Sequence, residues 1–388
     1  MGTPDAPGGS APLSGIVVVE LGASVAAPYA AQTLGDLGAE VWKIEKAEGD
    51  DARRWGPPFW EGASALFQGL NRNKRSVVCD LRDPAHVAAL TRFVVERADV
   101  VLQNLRPGQV DALGLGAQAL RSLKPSLVYC NVGAFGATGP LKDRPGYDPL
   151  MQAFGGIMSF TGEEDRPPVR VGPSIIDMGT GLWGVVGIVT ALLRRATTGE
   201  GAVIDVSLFE TATALMALPA AQFMASGELP RKQGSGSPGI VPYRAYRTAD
   251  GDLVVAAGSD GLFRRLAGVL GHPEWADDPR FVSNPARVEH QHALYALIEA
   301  EMRGRSTEEW SALLDDAGVP CAPVQNVQQM LGHPQTRALG MVQALPDSRL
   351  TLVGLPLSID GVRPRPRSAP PALGEHTDAL FDPPPAQD

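Results

Sequence analysis

The sequence is poor in cysteine. Its three cysteines, Cys79, Cys130 and Cys321, are odd in number, widely spaced and without a Cys-x-x-Cys pair. This usage argues against a disulfide framework and against a zinc site. We therefore expect a protein of a reducing compartment, the cytoplasm, with no bound metal.

Long apolar runs are also lacking. The longest extends from Leu182 to Leu193 and has 12 residues, whereas a membrane-spanning helix needs about 20. We predict that this run is a buried core helix and that the protein has no membrane partner. Residues 1–12 have neither the basic nor the apolar region of a secretion signal and are predicted to be a disordered leader.

Positive charge is in deficit, since 34 Lys and Arg stand against 43 Asp and Glu, for a net charge of −9. Sequence-independent binding of nucleic acid needs a basic surface, so a nucleic-acid partner is not expected. Any polyanionic ligand would have to meet a local cluster of Lys and Arg.

Short β-rich runs alternate with helical patterns over the first 150 residues, as in consecutive βαβ units. Strands are predicted at 16–20, 40–44, 76–80, 100–103, 127–131 and 202–207, and helices at 27–37, 84–97, 117–123, 178–196 and 208–224. We therefore predict an α/β fold in which a Rossmann-like parallel sheet has helices on both faces.

A polar, Gly-rich stretch at 226–240 marks a boundary. Beyond it, a predicted hairpin at 244–257 turns at Asp250-Gly251, and helical patterns continue to about residue 316. We predict a large domain beginning with 13–225, a smaller α+β domain with its linkers at 226–325, and a C-terminal segment, 326–388, that returns to the large domain.

Two segments match the dinucleotide-binding pattern, at 114–119 and 234–239. The first follows a helix rather than a strand, and the second leads into a strand rather than a helix, so both lack the required context. No P-loop, Gly-x-Ser-x-Gly or His-Glu-x-x-His motif is present. The long loops between 133 and 175 are the better place to look for chemistry.

Asp177 lies where such a loop turns into the apolar helix. It could simply cap the helix, a role worth about 1 kcal/mol. The nearby Gly179 and Gly181 are poor helix formers and would let a bulky group approach the backbone. We expect the helix dipole and free N–H groups to keep Asp177 ionised, which suits a carboxylate nucleophile.

An ordered set of segments accompanies Asp177 along nearly the whole chain. They are Ala27-Pro28, Leu34–Val41, Lys43–Glu45, Gly49-Asp50, Asn71–Ser76, Asn104–Gly108, Arg144–Asp148 and Leu373–Thr377. Together they resemble family III CoA-transferases, the CaiB/BaiF group. The resemblance implies an interlocked homodimer and an acyl-accepting role for Asp177, with CoA or acyl-CoA as substrate and no tightly bound cofactor.

The resemblance also implies which residues bind CoA. The positions implied to line its channel or hold its phosphates and pantetheine are Ser24, Val25, Ala26, Lys46, Cys79, Arg82, Asn104 and Arg106, with Lys74, Arg75 and Arg144 as further candidates. Lys46 stands where arginine is common in the family, and Arg144 is expected to substitute for cations that other members carry elsewhere.

The acyl group and its oxyanion need further contacts. Tyr147 is implied to hold the acyl end, and Asp148 to orient that end or the surroundings of Asp177. Tetrahedral intermediates need N–H donors, for which the backbones of Gly179, Gly234 and Gly236 are candidates. A distal carboxylate of the acid would need a cation such as Arg170, Arg106 or Arg244.

The predicted reaction moves CoA from an acyl-CoA donor to a small carboxylic acid, through an aspartyl anhydride and an aspartyl-CoA thioester. The segment 239–251 resembles the succinyl-CoA:dicarboxylate branch, which favours succinyl-CoA as donor and a short dicarboxylic acid as acceptor. Two alternatives stay open: a 2-methylacyl-CoA racemase of the same family and a non-catalytic acyl-CoA-binding dimer. Racemases of the family have a histidine where 145–148 reads Pro-Gly-Tyr-Asp, and no histidine occurs between His86 and His272.

Overall fold

The computed structural model of the protein describes residues 11–381, so the predicted leader at 1–12 lies almost wholly outside the described residues. These residues form two compact units. The first comprises 11–157, 170–225 and 334–381, and the second comprises 158–169 and 226–333. The second unit thus begins at the predicted position, extends further than residue 325, and includes a short segment from the middle of the chain.

The first unit is built on a six-stranded parallel sheet in the order β5-β2-β1-β6-β7-β8. This confirms the predicted α/β fold. A small hairpin, β3 and β4, lies outside this sheet. The strands are β1 (Val17–Leu21), β2 (Glu40–Glu45), β3 (Phe59–Trp60), β4 (Ala63–Ser64), β5 (Lys74–Val78), β6 (Val100–Gln103), β7 (Val128–Gly133) and β8 (Val203–Ser207).

Helices of this unit connect the strands and cover the sheet. They are α1 (Ala26–Asp36), α2 (Ala65–Leu70), α3 (Pro84–Arg97), α4 (Gln109–Ala112), α5 (Ala117–Leu123), α6 (Asp148–Phe154), α8 (Ile175–Thr198), α9 (Leu208–Leu215) and α10 (Ala217–Ser226). The short helix α7 (Ile157–Phe160) begins at the last residue of the segment 11–157 and belongs mostly to the second unit. The start of α3 was predictable because Asp83 caps it, accepting the N–H of Ala85, and Pro84 takes the first helical position. The predicted helix at 208–224 is in fact two helices, bent by 57°.

Helix α8 is buried on one side only. Ile176, Thr180 and Ile188 face the core that α8 shares with α1, whereas Trp183 and Leu193 are exposed. The prediction of a wholly buried core helix is therefore wrong for the second face. Among residues 11–381, α8 is also the one single helix long and apolar enough to cross a membrane, with 44% of its most apolar window buried, and the bent pair α9 and α10 passes the same test if counted as one span.

The second unit contains a three-stranded antiparallel sheet in the order β11-β10-β9. The strands are β9 (Tyr243–Arg247), β10 (Asp252–Ala256) and β11 (Cys321–Pro323), and the helices are α11 (Asp260–Val269), α12 (Asn284–Glu289), α13 (Gln291–Met302), α14 (Thr307–Asp316) and α15 (Val327–Gly332). The β9–β10 hairpin turns at the Asp250-Gly251 pair, as the sequence predicted. One apolar core fills this α+β unit.

The C-terminal segment belongs to the first unit. It contains α16 (Pro334–Ala338), β12 (Val342–Ala344), β13 (Thr351–Val353) and α17 (Thr377–Phe381). Arg367 donates hydrogen bonds to the carbonyl oxygens of Gly35, the penultimate residue of α1, and of Ala39, three residues beyond its end. Thr377 accepts the N–H of Val78 at the end of β5. The last residues of the chain therefore complete the edge of a sheet that the first residues begin.

Candidate active site

The strand order places a crevice between β1 and β6. The chain runs outward from β1 to β2 and β5 on one side, and from β6 to β7 and β8 on the other. In open parallel sheets, ligands bind outside the carboxyl ends of the strands at such a reversal. Two segments leave the sheet there: the turn Gly22–Val25, hereafter the β1–α1 turn, and the loop that starts at Asn104.

Asn104 joins these two segments. Its side-chain Nδ2 donates to the carbonyl of Ala23 at 2.8 Å, and its Oδ1 accepts the N–H of Ala23 at 2.9 Å. Both polar atoms of the amide thus already bind main chain. Asn104 therefore shapes the crevice through the β1–α1 turn, and its predicted contact with the pantetheine stays a prediction.

Helix α8 passes against the start of α1. A Cβ atom on Gly181 would lie 2.7 Å from the carbonyl oxygen of Ala26, so only glycine permits this approach. On Gly179 a Cβ would lie 3.0 Å from the Thr211 side chain in α9. These two glycines therefore allow neighbouring helices to approach α8 closely. The close contact brings the helix of Asp177 to the first residues after the β1–α1 turn.

Asp177 is the third residue of α8 and lies beside a second carboxylate. Asp148, the first residue of α6, is 2% exposed. Its Oδ2 accepts the N–H groups of Ile176, at 2.8 Å, and of Asp177, at 3.2 Å. Its Oδ1 accepts from Gln152 at 2.6 Å. Asp148 therefore caps the helix that carries Asp177, and the helix start holds two acidic groups.

Burial, together with the negative charge of Asp148, raises the pKa of Asp177 from its ordinary 3.8 to about 7. The expectation that the helix dipole and free N–H groups keep Asp177 fully ionised is therefore wrong. Burial is the larger cause, and the N–H groups at the helix start donate to Asp148, whose negative charge adds to the shift. A carboxyl with this pKa exchanges its proton near neutral pH.

The three glycines proposed as oxyanion donors have other partners. Gly179 is the fifth residue of α8, so its N–H lies within the helical hydrogen-bond ladder. Gly234 and Gly236 belong to the second unit, where their N–H groups donate to the carbonyls of Gly162 at 2.9 Å and Gln233 at 2.8 Å. These three N–H groups therefore already have acceptors within the protein, and their assignment as oxyanion donors is not supported in this arrangement.

Two of the predicted phosphate-binding cations follow the carboxyl ends of strands. Lys46 comes directly after β2 and pairs with Asp51 at 3.0 Å. Arg82 follows β5 and forms a two-pronged pair with Asp80, at 2.9 and 3.0 Å. Both side chains are more than half exposed. Exposed pairs of this kind are worth at most about 1 kcal/mol, so a phosphate could compete for either cation.

Cys79 and Lys74 are unsuited to direct binding. The Cys79 thiol is buried, and burial raises its pKa to about 11. Lys74 is fully buried, pairs with Glu20 at 2.8 Å and donates to the carbonyl of Pro28 at 2.8 Å. Its ammonium group is therefore committed inside the protein, and the prediction that it binds CoA is wrong.

Arg75 lies at the other edge of the sheet. It pairs with Glu40, the first residue of β2, at 3.6 Å and lies over the Trp42 ring. Because β2 and β5 are parallel, this contact is at the amino end of the strands, opposite the edge where Lys46 lies. Arg75 is therefore separated from the proposed CoA site.

The remaining candidates are mostly exposed. Tyr147 is the residue before α6 and is 61% exposed. Arg170 donates to the carbonyls of Val171 and Gly172 in the loop that leads to α8. Arg106 is exposed in the loop after β6, and Arg144 lies 5.8 Å from the centre of the Phe135 ring. Val25 and Ala26 are buried at the start of α1, whereas Ser24 is partly exposed.

A buried charge network that was not predicted from the sequence lies beneath the β1–α1 turn. Lys43 is fully buried and forms ion pairs at 2.9 Å with both Glu20 and Asp50. The signal was present, since Glu20 and Lys43 are charged residues inside apolar strand runs. A charge in such a run indicates either a sequence that is not a buried strand or a buried partner.

The fold and site define a class: a doubly wound α/β protein in which a helix that packs against the start of α1 carries a partly buried aspartate of raised pKa. Comparison with known proteins agrees. The model for "CoA-transferase family III" matches residues 13–377. The chain is 38% identical to a succinate–glutarate CoA-transferase of Agrobacterium fabrum, over 96% of this chain and 95% of the relative.

Two further relatives extend this result. A succinyl-CoA–D-citramalate CoA-transferase of Chloroflexus aurantiacus is 36% identical, over 95% of this chain and 93% of its own length. A crystal structure of a CaiB/BaiF family protein from Brucella suis superposes with a TM-score of 0.88 at 40% identity, covering 96% of this chain and 99% of that one. The chain belongs to CoA-transferase family III, which confirms the resemblance and the predicted class of enzyme.

Proposed function

We propose that the protein transfers CoA from succinyl-CoA to a short dicarboxylic acid, with Asp177 as the acyl acceptor. The observation that carries this proposal is the partly buried Asp177 carboxyl, which lies beside Asp148, has a pKa raised to about 7, and stands on a helix that packs against the start of α1 beside the sheet crevice. The family supplies the class of reaction, and Asp177 supplies the group that it needs.

The proposed reaction proceeds through the Asp177 side chain. A carboxylate oxygen of Asp177 attacks the thioester carbonyl, and the C–S bond breaks to give a mixed anhydride and CoA thiolate. The thiolate attacks the aspartyl carbonyl and releases the donor acid, which leaves an aspartyl-CoA thioester. The acceptor carboxylate then attacks this thioester, expelling thiolate and forming a second anhydride. The thiolate attacks the acceptor-derived carbonyl of this second anhydride, which gives the new acyl-CoA and releases the Asp177 carboxylate.

The surroundings of Asp177 suit this role. A carboxylate that is poorly solvated is more basic, and therefore more nucleophilic, than one exposed to water. The neighbouring Asp148 adds to this effect, and it also fixes the start of α8 through its two N–H contacts. The energy of the thioester is kept in the anhydride and in the aspartyl thioester, so the exchange needs no nucleotide.

The two relatives named above support the choice of succinyl-CoA and a dicarboxylic acid. The second carboxylate of such an acid needs a cation, and a two-pronged contact with arginine is the strongest arrangement. Arg170 is exposed in the loop that leads to α8, and Arg106 is exposed in the loop after β6. We assign the distal carboxylate to Arg170, since this residue is closer along the chain to Asp177.

The exposed face of α8 supports a homodimer. Trp183, Val186 and Leu193 are each more than half exposed, and in α10 Leu218 and Met224 are about four-fifths exposed. An exposed apolar stripe such as the one on α8 usually marks a protein interface. We propose that a second copy of this chain covers it, in the interlocked arrangement that the family resemblance implies.

Isotope transfer tests the covalent mechanism directly. The protein is incubated with succinyl-CoA and with glutarate that carries ¹⁸O in its carboxylates. The mass of the peptide that contains Asp177 is then measured by mass spectrometry. The second anhydride should leave one ¹⁸O atom on Asp177, and glutaryl-CoA should form. Glutaryl-CoA without label in this peptide would overturn the covalent route.

Variants of Asp177 test the assignment. Asp177→Ala should abolish transfer while acyl-CoA binding remains, whereas Asp316→Ala, at the end of α14 in the second unit, should transfer normally. Absence of any new acyl-CoA from a panel of mono- and dicarboxylates would overturn the proposed function. Deuterium uptake at C2 of a 2-methylacyl-CoA would then indicate the racemase, and binding alone would indicate the non-catalytic dimer.

A further inference from the structure

We propose that Asp50 is a positioning residue, which holds the β1–α1 turn in the shape that acyl-CoA binding requires. The inference rests on the proposed function, with acyl-CoA placed at the sheet crevice that this turn borders. It starts from an unusual backbone conformation. Ser24 has a φ of +71°, in the left-handed region that non-glycine residues seldom adopt.

The Ser24 main chain is held in this conformation by a side chain from the next β–loop segment. The N–H of Ser24 donates to Oδ1 of Asp50 at 3.1 Å, and the same oxygen accepts the N–H of Ala52 at 2.9 Å. Asn104 holds the preceding residue, Ala23, from the other side of the crevice. Residues in sparsely populated conformations persist only where their surroundings over-determine them.

Asp50 is itself fixed from below. Its Oδ2 forms an ion pair with Nζ of Lys43 at 2.9 Å, and the same ammonium group donates to the carbonyl of Gly22 at 2.8 Å, at the start of the turn. The side chains of Asp50 and Lys43 are 1% and 0% exposed. Asp50 and Lys43 therefore clamp the turn at Ser24 and at Gly22.

Two further charges complete a balanced set. Glu20 pairs with Lys43 at 2.9 Å and with Lys74 at 2.8 Å, and Lys74 also donates to the Pro28 carbonyl in the first turn of α1. Two cations thus face two anions in a site closed to solvent. Burial lowers the pKa of Lys74 to about 8 against the opposing effect of Glu20, while the pKa of Lys43 is raised because its two acidic partners outweigh its burial.

These four side chains are buried, so they cannot contact the ligand in this arrangement. Among the described residues none of them hydrogen-bonds to Asp177, so the chemistry at that carboxyl does not depend on them directly. Their effect passes through the main chain of residues 22–28. A change at Asp50 should therefore weaken acyl-CoA binding more than it slows the chemical steps.

The experiment compares Asp50→Asn with a matched control, Asp36→Asn. Asp36 is equally part of a buried ion pair, with Arg72 at 2.6 Å, but it lies at the last residue of α1. Asp50→Asn should raise KM for acyl-CoA about 10- to 100-fold, the cost of a small misplacement, with kcat within about threefold. Asp36→Asn should lower the unfolding temperature without changing KM.

An unchanged KM in Asp50→Asn, or an equal rise in Asp36→Asn, would overturn the proposal. Asp50→Glu keeps the negative charge but is one methylene group longer. Its KM for acyl-CoA should lie between the values of the wild type and Asp50→Asn. If the wild-type protein transfers no CoA, the proposed function fails separately. The affinity for CoA, measured by calorimetry on the same three variants, then decides the positioning role.

Discussion

The carboxylate of Asp148 accepts the main-chain N–H of Asp177 at 3.2 Å. One acidic residue thus caps the helix that presents another. Capping normally uses a side chain from the residue just before the helix, whereas here it comes from 29 positions earlier in the chain. The arrangement stabilises the helix start and at the same time raises the pKa of the second acid.

The pH dependence of transfer should reveal this relationship. Asp177 attacks as the carboxylate, so kcat/KM should rise with pH through an apparent pKa near 7. Asp148→Asn removes the neighbouring charge and should shift this limb to lower pH. The shift should be partial, because burial is the larger cause of the raised pKa. Asp205→Asn, at an exposed position in the same unit, serves as the control. If the apparent pKa of kcat/KM is the same in Asp148→Asn as in the wild type, the prediction is contradicted.

Stability should depend on pH through the same residue. Because the folded-state pKa of about 7 exceeds the ordinary value of 3.8, the folded protein retains a proton that the unfolded chain loses. The contribution of Asp177 to the free energy of unfolding is therefore most favourable below pH 4 and is lost as the pH rises to about 7. Asp177→Asn should be more stable than wild type at pH 8, by on the order of 2–4 kcal/mol.

Urea unfolding of both proteins at pH 5 and pH 8 measures this difference. Comparing the two proteins at each pH cancels the other titrating groups. A wild-type protein that gains stability relative to Asp177→Asn between these pH values would show that the carboxyl is not destabilised by burial.

The contact between α8 and α1 should tolerate no methyl group at Gly181. Gly181→Ala would place a Cβ atom 2.7 Å from the Ala26 carbonyl oxygen, and overpacking of this kind costs about 1–3 kcal/mol. Gly69→Ala is a suitable control, since Gly69 lies in α2 with no atom within 4 Å of its added Cβ. Thermal unfolding should show a lower midpoint for Gly181→Ala alone.

The dimer should weaken when charge is placed on the exposed face of α8. Val186 is 53% exposed and lies between Trp183 and Val189 on this face. Val186→Lys should shift the sedimentation profile from dimer towards monomer at micromolar concentration, because a buried unpaired ammonium group is costly. Leu123→Lys, at the end of α5 and 58% exposed, should leave the profile unchanged.

Much of the large unit was predictable from local patterns. Helix α3 begins and ends at the predicted residues because Asp83, Pro84 and Arg97 carry standard signals for helix ends. The alternation of strands and helices was enough to predict a parallel sheet. The bend between α9 and α10 lies at Met216, three residues before Pro219. A proline inside a helix removes the hydrogen bond to the carbonyl four residues earlier, here that of Leu215 at the end of α9, so the sequence carried a signal for the break that the prediction of one helix overlooked.

The candidate nucleophile was easier to select from the sequence than its structural partners. Asp177 is recognisable from its place between a loop and an apolar helix. The pairing of Lys74 with Glu20, 54 positions away along the chain, has no local signature, so Lys74 was interpreted as a candidate CoA-binding cation. The ionisation of Asp177 was mispredicted because its burial, the larger cause of the raised pKa, and the neighbouring Asp148 carboxylate both come from tertiary contacts that a local pattern does not show.

The return of the C-terminal segment has a consequence for how the chain is made. Arg367 and Thr377 secure α1 and β5, so these contacts can form only after residues 367–377 have been synthesised. Residues 226–333, by contrast, are synthesised earlier and contain an apolar core of their own. During translation the inserted unit can therefore finish folding before the sheet that flanks it in the sequence, and a chain truncated before residue 367 would leave that sheet open at its β5 edge.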